Sequence, residues 1–447
     1  MTLHCLRSLF VIPVFLASSA FGAASPFDLS SIRLDSHGSY VTSDPIIRVK
    51  VFPHGDHQPQ RDDQVRDRLV LTSEKPCVML QGHETAAQGT KKILGKNTSF
   101  ILEAATLVHP AYFKCQTPIA LARELGRASY AYAGALYVRR VATVPGKWEL
   151  EAINVVPMNE YLRGVVPSEV YPGWHLETLK SQAVAARSYG VFHLAFARTY
   201  LKTRFYDVDD TVAFQAYTGV THARRETDEA VAATAGQVLT FKNEVIQAYY
   251  HADSGGATED GVEAWGHSIP FCLGKREDVY RDHPAAAWEI TVAFADLTKV
   301  LREQGAIASS ADVTALSIAD HTESGRVRAL ALALRDGKDQ AAARVSVGLI
   351  RRVVGNLPST LFTVRAATRT TVILRGFGSG HGIGMNQTGA EMHAANRGWD
   401  YRRILDFYYT GTGLCSLEKN LRQAPTAGVP SCFENDFLSR DIFAANN

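Results

Sequence analysis

The chain shows no excess of either charge. Among its 447 residues, 47 Lys and Arg stand against 45 Asp and Glu, a formal net charge of +2, and no long run of one sign occurs. A nucleic-acid binder carries a concentrated basic face, so no nucleic-acid partner is expected. After the first 24 residues no apolar stretch approaches the ~20 residues that cross a bilayer. The His-Glu-x-x-His and Cys-x-x-Cys spacings are missing, and His251, Asp253, His267 and Cys272 cluster without a ligand spacing. No metal and no cofactor is therefore expected. Neither a G-x-G-x-x-G fingerprint nor a Walker-type Gly-Lys-Ser/Thr is present, which excludes the common nucleotide-binding loops. With 46% hydrophobic and 21% charged residues, the composition also excludes disorder, collagen and coiled coil.

Cysteine is scarce, and its placement follows from the N-terminus. Arg7 is the only Lys, Arg, Asp or Glu among the first 24 residues; Leu9–Ala17 is apolar, and small residues run from Ser18 to Ala24. This is the pattern of an export signal cleaved after Gly22 or Ala24. The mature protein is expected outside the cytoplasm, in the periplasm, the cell envelope or the medium. Cys5 leaves with the signal. Of the remaining five, Cys415 with Cys432 and Cys77 with Cys115 are the candidate disulfides, and Cys272 in the apolar stretch 269–273 is the leftover thiol.

The hydropathy pattern predicts an α+β fold. Ile47, Val49 and Val51 alternate with Arg48 and Lys50, and Trp148, Leu150 and Ala152 alternate with charged residues, the period of half-buried strands. Ile119–Leu125, after Pro118, is expected as a short helix. From Leu176 to Ala197 apolar residues recur at three, four and seven, marking a long central helix over 175–200 whose small residues allow close packing. Helices are also expected over 227–235, 294–304, 346–354 and 387–396. Hairpins are expected around Lys242-Asn243 and Ser324-Gly325, and a strand after residue 371. The expected organisation is a signal over 1–24, a β-rich N-terminal region over 25–129, a core over 130–285 and 366–417 interrupted by an α/β module over 286–365, and a tail over 418–447.

Three segments carry candidate chemistry. Glu169 lies in Val165-Val-Pro-Ser-Glu-Val-Tyr-Pro172, read as a Pro-flanked loop ahead of the long helix. Apolar neighbours raise a carboxyl pKa and suit a general acid; a cap or ion-pair partner for the following helix is the other reading. His251 and Ser254 stand at the end of a strand before a Gly-Gly turn, as a Ser–His pair or as structural groups. From Gly376 to Gly384 every second residue is glycine. In an extended chain that leaves one face as bare backbone, open to another backbone or to a flat ligand such as a glycan, with His381 on the opposite face.

Taken in order, the motifs resemble the stage II sporulation protein D / LytB (SpoIID/LytB) family of cell-wall proteins. The matching segments are Asn159-Glu-Tyr-Leu-Arg-Gly-Val-Val-Pro-Ser-Glu169, Leu179-Lys-Ser-Gln-Ala-Val-Ala-Ala-Arg-Ser-Tyr189, Gln215-Ala-Tyr-Thr-Gly219, His251 with Ser254-Gly-Gly256, Trp265 ahead of Pro270, and Gly380-His-Gly-Ile-Gly-Met-Asn-Gln387 with Tyr408-Tyr-Thr-Gly411. The resemblance covers residues 130–415 and departs at Asn386, where the family usually has serine, and at Ser254, where some relatives have a metal-binding cysteine. It implies a peptidoglycan lytic transglycosylase that cuts the MurNAc–GlcNAc bond of peptide-stripped glycan strands to 1,6-anhydro products. Glu169 carries over as the catalytic acid. Gln215, His251, Ser254, His381 and Gln387 are expected to bind substrate, and Arg187 to line the groove or to be a structural ion-pair partner. The next carboxylates to consider are Glu259 and Glu263. The alternative role that the resemblance implies is a wall-binding enhancer of a cell-wall amidase.

Overall fold

The computed structural model describes residues 44–52, 67–81, 90–126, 129–201, 203–281, 285–337, 339–354 and 357–417. The expected export signal and the C-terminal tail with Cys432 lie outside them. The chain is α+β, with helices and several sheets interleaved.

The N-terminal part is built from two sheets. Seven strands run in the order Val208–Asp209, Ile46–Val51, Lys147–Pro157, Ala135–Val144, Ala111–Cys115, Cys77–Gln81, Thr90–Leu94, antiparallel except for the first pair. Four more run as Thr98–Glu103, Arg68–Ser73, Ile119–Ala122, Tyr130–Tyr132. Segment 119–122 is thus a strand, not the expected helix: Ile119 and Leu121 are buried at alternate positions, and Leu121 pairs with Leu71. Two residues of alternation decided against helix in a window too short for a helical face. Cys77 and Cys115 face each other across adjacent strands and form a disulfide. Cys415 is also disulfide-bonded, and Cys272 is a free, buried thiol whose ionisation burial opposes.

Helix α1 (Met158–Glu169) grows directly out of the strand ending at Pro157, and α2 (Leu176–Tyr200) follows after a short turn. The Pro-flanked loop expected over 165–172 is corrected for residues 165–169, which are the end of α1, while 170–172 lie in the loop. Pro167 is tolerated because it falls in the last turn of α1, where only one backbone bond is lost. The N-terminus of α2 is capped by His175, whose Nδ1 accepts the Glu177 N–H at 3.2 Å, so Glu169 does not serve that helix. Ala183, Ala186 and Leu194 face the first core, while Val184 and Ala185 face a second one formed with Leu239, Ile383, Met385 and Tyr409. Small side chains let both cores close on one helix.

Helix α3 (Arg225–Ala233) leads into the hairpin Gln237–Phe241/Glu244–Val245, turned at Lys242 and Asn243 with φ of 50° and 69°. After α4 (Gly261–Trp265) comes a module with its own core of Leu297, Leu301, Leu330, Leu332, Ile350 and Leu374. It holds α5 (Phe294–Glu303), α6 (Val347–Val354) and two three-stranded sheets, Ala287–Ala293/Thr371–Phe377/Phe362–Ala367 and Ala311–His321/Val327–Asp336/Asp339–Ser346. The chain returns through a two-stranded parallel ladder, Tyr250–His251 with Met385–Asn386, into α7 (Gln387–Arg397) and α8 (Tyr401–Tyr408).

The glycine run is not the extended ribbon that its alternation implied. Gly378, Gly380, Gly382 and Gly384 all have positive φ, from 71° to 108°. Their bare sides are filled from within the protein: a Cβ on Gly380 would lie 2.7 Å from the Cβ of His251, and one on Gly382 2.7–2.9 Å from the Arg326 guanidinium. Close backbone packing, not an open sugar groove, accounts for these glycines. Gly382→Val should therefore destabilise the fold. Gly146 (φ 82°) has open space where its Cβ would stand, so Gly146→Val isolates the backbone strain, roughly 1–3 kcal/mol. Thermal melts should show a clearly larger loss for Gly382→Val, and equal losses would remove Arg326 from the explanation.

Candidate active site

Glu169, the last residue of α1, is half-buried at the meeting point of the motifs. Gly164 lets α1 lie against residues 217–219: a Cβ there would collide with the Gly219 carbonyl and sit 2.6–2.8 Å from the Tyr217 ring. That close approach brings the Ala216 N–H onto Glu169 Oε1 at 2.8 Å. The side chains of Tyr250 and Gln387 are its other hydrogen-bond donors. Burial is the largest influence on this carboxyl and raises its pKa, against the lowering by the Ala216, Tyr250 and Gln387 donors. The C-terminal end of a helix also disfavours a carboxylate, in the same direction.

The donors are held by a relay with a fixed direction. The Tyr161 hydroxyl donates to Gln215 Oε1 at 3.1 Å, and Gln215 Nε2 donates to the Ala186 carbonyl at 3.3 Å and to the Tyr250 oxygen at 2.8 Å. Since the Tyr250 oxygen already accepts a hydrogen bond from Gln215, its own hydrogen is left for Glu169. Gln387 Nε2 also donates to Gln182 on α2 at 3.3 Å. The short parallel ladder delivers Tyr250 and Gln387 together, with Tyr250 paired to Met385 and His251 to Asn386.

Gln215 and Gln387 thus join Glu169, the first by setting Tyr250 and the second directly. His251 follows Tyr250 on a strand and so faces the other way. Its Nδ1 donates to the Ile383 carbonyl at 3.1 Å, while the Ile383 N–H donates to His381 Nδ1 at 3.0 Å. One residue's peptide groups therefore fix both tautomers. Burial, then the neighbouring guanidiniums, keeps His381 neutral with its pKa near 4; burial, then His381 and Arg326, keeps His251 neutral as well. His381 packs beside Trp265 at 5.3 Å between ring centroids.

Ser254 makes no pair with His251. Its hydroxyl donates to buried Glu277, which also accepts from Tyr408, and Asn386 Nδ2 donates to Glu277 at 3.0 Å. This polar post anchors Asn386, the residue before Gln387. Arg187, fully buried, is a packing residue rather than a groove residue: it donates to Asn159 Oδ1 at 3.1 Å and to the carbonyls of Val231 and Gln237 at 3.2 and 3.3 Å. Glu259 accepts from Thr322 and Ser324 at 2.6 and 2.8 Å, and Glu263 pairs with Arg328, so neither faces Glu169 as a second acid. Among the described residues, no group of three or more His, Cys, Asp or Glu stands together as a metal cradle. Tyr250, Tyr161 and the Ala216 N–H are the working parts that motif reading passed over. Strand alternation carried the signal for Tyr250, because it separates that residue from His251.

Comparison with known proteins shows what the chain is similar to. Residues 147–241 match the family model for stage II sporulation protein, and residues 274–384 match a domain of unknown function. An uncharacterized protein of Brachyspira hyodysenteriae is 30% identical over 286 residues, 64% of this chain and 74% of that protein. The amidase enhancer of Bacillus subtilis is 30% identical over 299 residues, 57% of this chain but only 40% of the relative's length. Stage II sporulation protein D of the same species is 27% identical over 284 residues, 61% of this chain and 78% of the relative. The chain belongs to the SpoIID/LytB family of cell-wall-associated proteins.

Proposed function

We propose that this protein is an exported lytic transglycosylase that cleaves the MurNAc–GlcNAc bonds of peptide-stripped peptidoglycan strands, with Glu169 as its catalytic acid and base. One observation carries the reading. Glu169 is a carboxyl whose pKa burial raises, and the groups acting on it are the Ala216, Tyr250 and Gln387 donors, with no second carboxylate among them. A glycosidase that uses water pairs two carboxyl groups ~5–9.5 Å apart. A lone acid suits a reaction in which one group serves twice. Neutral Glu169 protonates the leaving glycosidic oxygen. The resulting carboxylate, received by the three donors, then takes the proton of the sugar's own C6 hydroxyl as that oxygen closes on C1. The intramolecular nucleophile replaces a captured water, an advantage of effective concentration. Mass spectrometry of products from denuded and intact strands tests this: 1,6-anhydro ends support it, and reducing ends point to a hydrolase.

A second reading rests on the amidase enhancer relative: the same site holds glycan without cutting it, and the protein stimulates a wall amidase. Stimulation without anhydro products would favour it.

Tyr250→Phe separates the relay from simple packing. The ring stays and the donor to Glu169 goes. Loss of a hydrogen bond to a charged group predicts a turnover lower by roughly 10–100-fold. Because Tyr250 lowers the pKa of Glu169, its removal should move the alkaline limb of the pH–rate profile upward. An unmoved limb would leave Tyr250 as a packing residue only.

A further inference from the structure

Just past Glu169 the chain makes a tight turn that carries an open aromatic ring. The Trp174 N–H donates to the Tyr171 carbonyl at 3.0 Å, with Pro172 and Gly173 between them. Tyr171 is 75% exposed. A single exposed ring is ordinary on a protein surface. Two features set this one apart, its place and its fixing.

Its place follows from the chain. Two Cα steps separate Tyr171 from Glu169, a span of at most ~7.6 Å. Val170 between them is extended, with φ −133° and ψ 156°, and its side chain is buried in the first core. The residues on either side of it turn away from that core: Glu169 is half-buried and Tyr171 lies open. The ring therefore stands about one sugar unit from the carboxyl.

Its fixing comes from two sides. The Tyr171 ring leans on Trp174, with 6.0 Å between centroids, and Trp174 is partly buried against the first core. The next residue, His175, donates its N–H to Glu391 Oε2 at 2.9 Å, and the same oxygen accepts from Thr178 Oγ1 at 2.8 Å. Glu391 stands one turn beyond Gln387 on α7, on the same helical face. Gln387 is itself a donor to Glu169. One face of α7 thus holds the acid at one turn and the Tyr171 loop at the next, so the frame sets the spacing of ring and carboxyl.

A pyranose has an apolar C–H face and a polar rim, and tyrosine meets it with a flat apolar ring and a polar tip. We propose that Tyr171 is the aromatic platform of the sugar subsite next to Glu169, stacking on an N-acetylhexosamine that adjoins the bond on which Glu169 acts. This rests on the reading of Glu169 as a glycan site and adds a residue that reads the sugar rather than the bond. The stack involves no charge, so its contribution holds as salt is raised.

The test is binding by the full chain carrying Glu169→Gln, titrated with a denuded glycan tetrasaccharide and with long denuded strands. Adding Tyr171→Ala should weaken both by ~3–10-fold, at low and high salt alike. Adding Tyr171→Phe, which keeps the ring, should stay within about twofold of the parent. Tyr200→Ala, at the far end of α2 and 71% exposed in the wild type, serves as the control and should change nothing. All three melts should match the parent, because these side chains pack little. Unchanged affinity in Tyr171→Ala would overturn the proposal. So would an equal loss in Tyr200→Ala, a loss in Tyr171→Phe as large as in Tyr171→Ala, or a loss seen only with long strands, which would place the ring far from the acid. Release of anhydro products by the wild-type chain is scored separately. Tyr171-dependent binding without such products upholds the subsite and removes the transglycosylase, and products with Tyr171-independent binding do the reverse. Glycan binding by none of the chains would overturn both.

Discussion

Glu169→Gln is expected to lower the release of 1,6-anhydro sugars by at least ~10³-fold while leaving denuded glycan bound. General acid–base catalysis contributes ~10²–10⁴-fold, and here one group gives a proton and then takes another. The amide keeps the size of the side chain and can still accept the Ala216 N–H, which lies 2.8 Å from Oε1 in the wild type. The stability of this variant is diagnostic too. Burial raises the pKa of Glu169 above its unfolded value, so the native state holds this proton more tightly than the unfolded chain does. Its contribution to stability is greatest at pH below the unfolded value and declines as pH rises through the folded one. At neutral pH the amide removes a penalised charge, and the melting temperature should hold or rise. The wild-type rate should fall on the alkaline side as Glu169 ionises. Near-normal product release by Glu169→Gln at equal folded concentration would take the catalytic role away from this residue.

How far the sequence could be read depended on which residues announce themselves by type. The long helix was legible because apolar residues recur over 25 positions, and α2 runs Leu176–Tyr200. Helix α1 was not, because Pro167 and Pro172 read as loop boundaries, and a proline in a last turn looks in sequence like one that ends a helix. Glu169 was legible through its motif, but its setting came from Gly164 and Gly219, whose role is to let two backbones approach. The glycine run announced a close approach and gave no sign of the partner: Arg326 comes from a different module. Polar motif residues were the least legible. Arg187 and Ser254 look like ligands for substrate, yet Arg187 binds Asn159 and buried backbone, and Ser254 binds Glu277 and Asn386. In this chain many of the polar motif residues are frame around one carboxyl rather than contacts for a ligand.

Arg187 makes that distinction measurable. Its guanidinium joins the end of α3 to the hairpin strand and, through Asn159, to α1, and the Asn159 N–H donates in turn to Asp44 Oδ1 at 2.7 Å. Burial pulls its pKa down to about 10, with Asp44 opposing the shift, so it remains charged at neutral pH. Arg187→Met fills similar volume but leaves the carbonyls of Val231 and Gln237 and the Asn159 side chain without their donor, and Asp44 without its compensating charge. Breaking a buried charged network in this way costs ~3–5 kcal/mol, a large fraction of the ~5–15 kcal/mol that holds a domain folded. Arg187→Lys should recover only part of it, since an ammonium cannot reach three acceptors set around a planar fork. Urea unfolding checks both variants. A groove arginine would behave in the opposite way: the Met variant would unfold at the wild-type midpoint and fail only in binding glycan. If Arg187 is instead the frame of α1, product release per folded molecule at low temperature should stay close to wild type, because the hydrogen bonds of Glu169 run to Ala216, Tyr250 and Gln387 and none to Arg187.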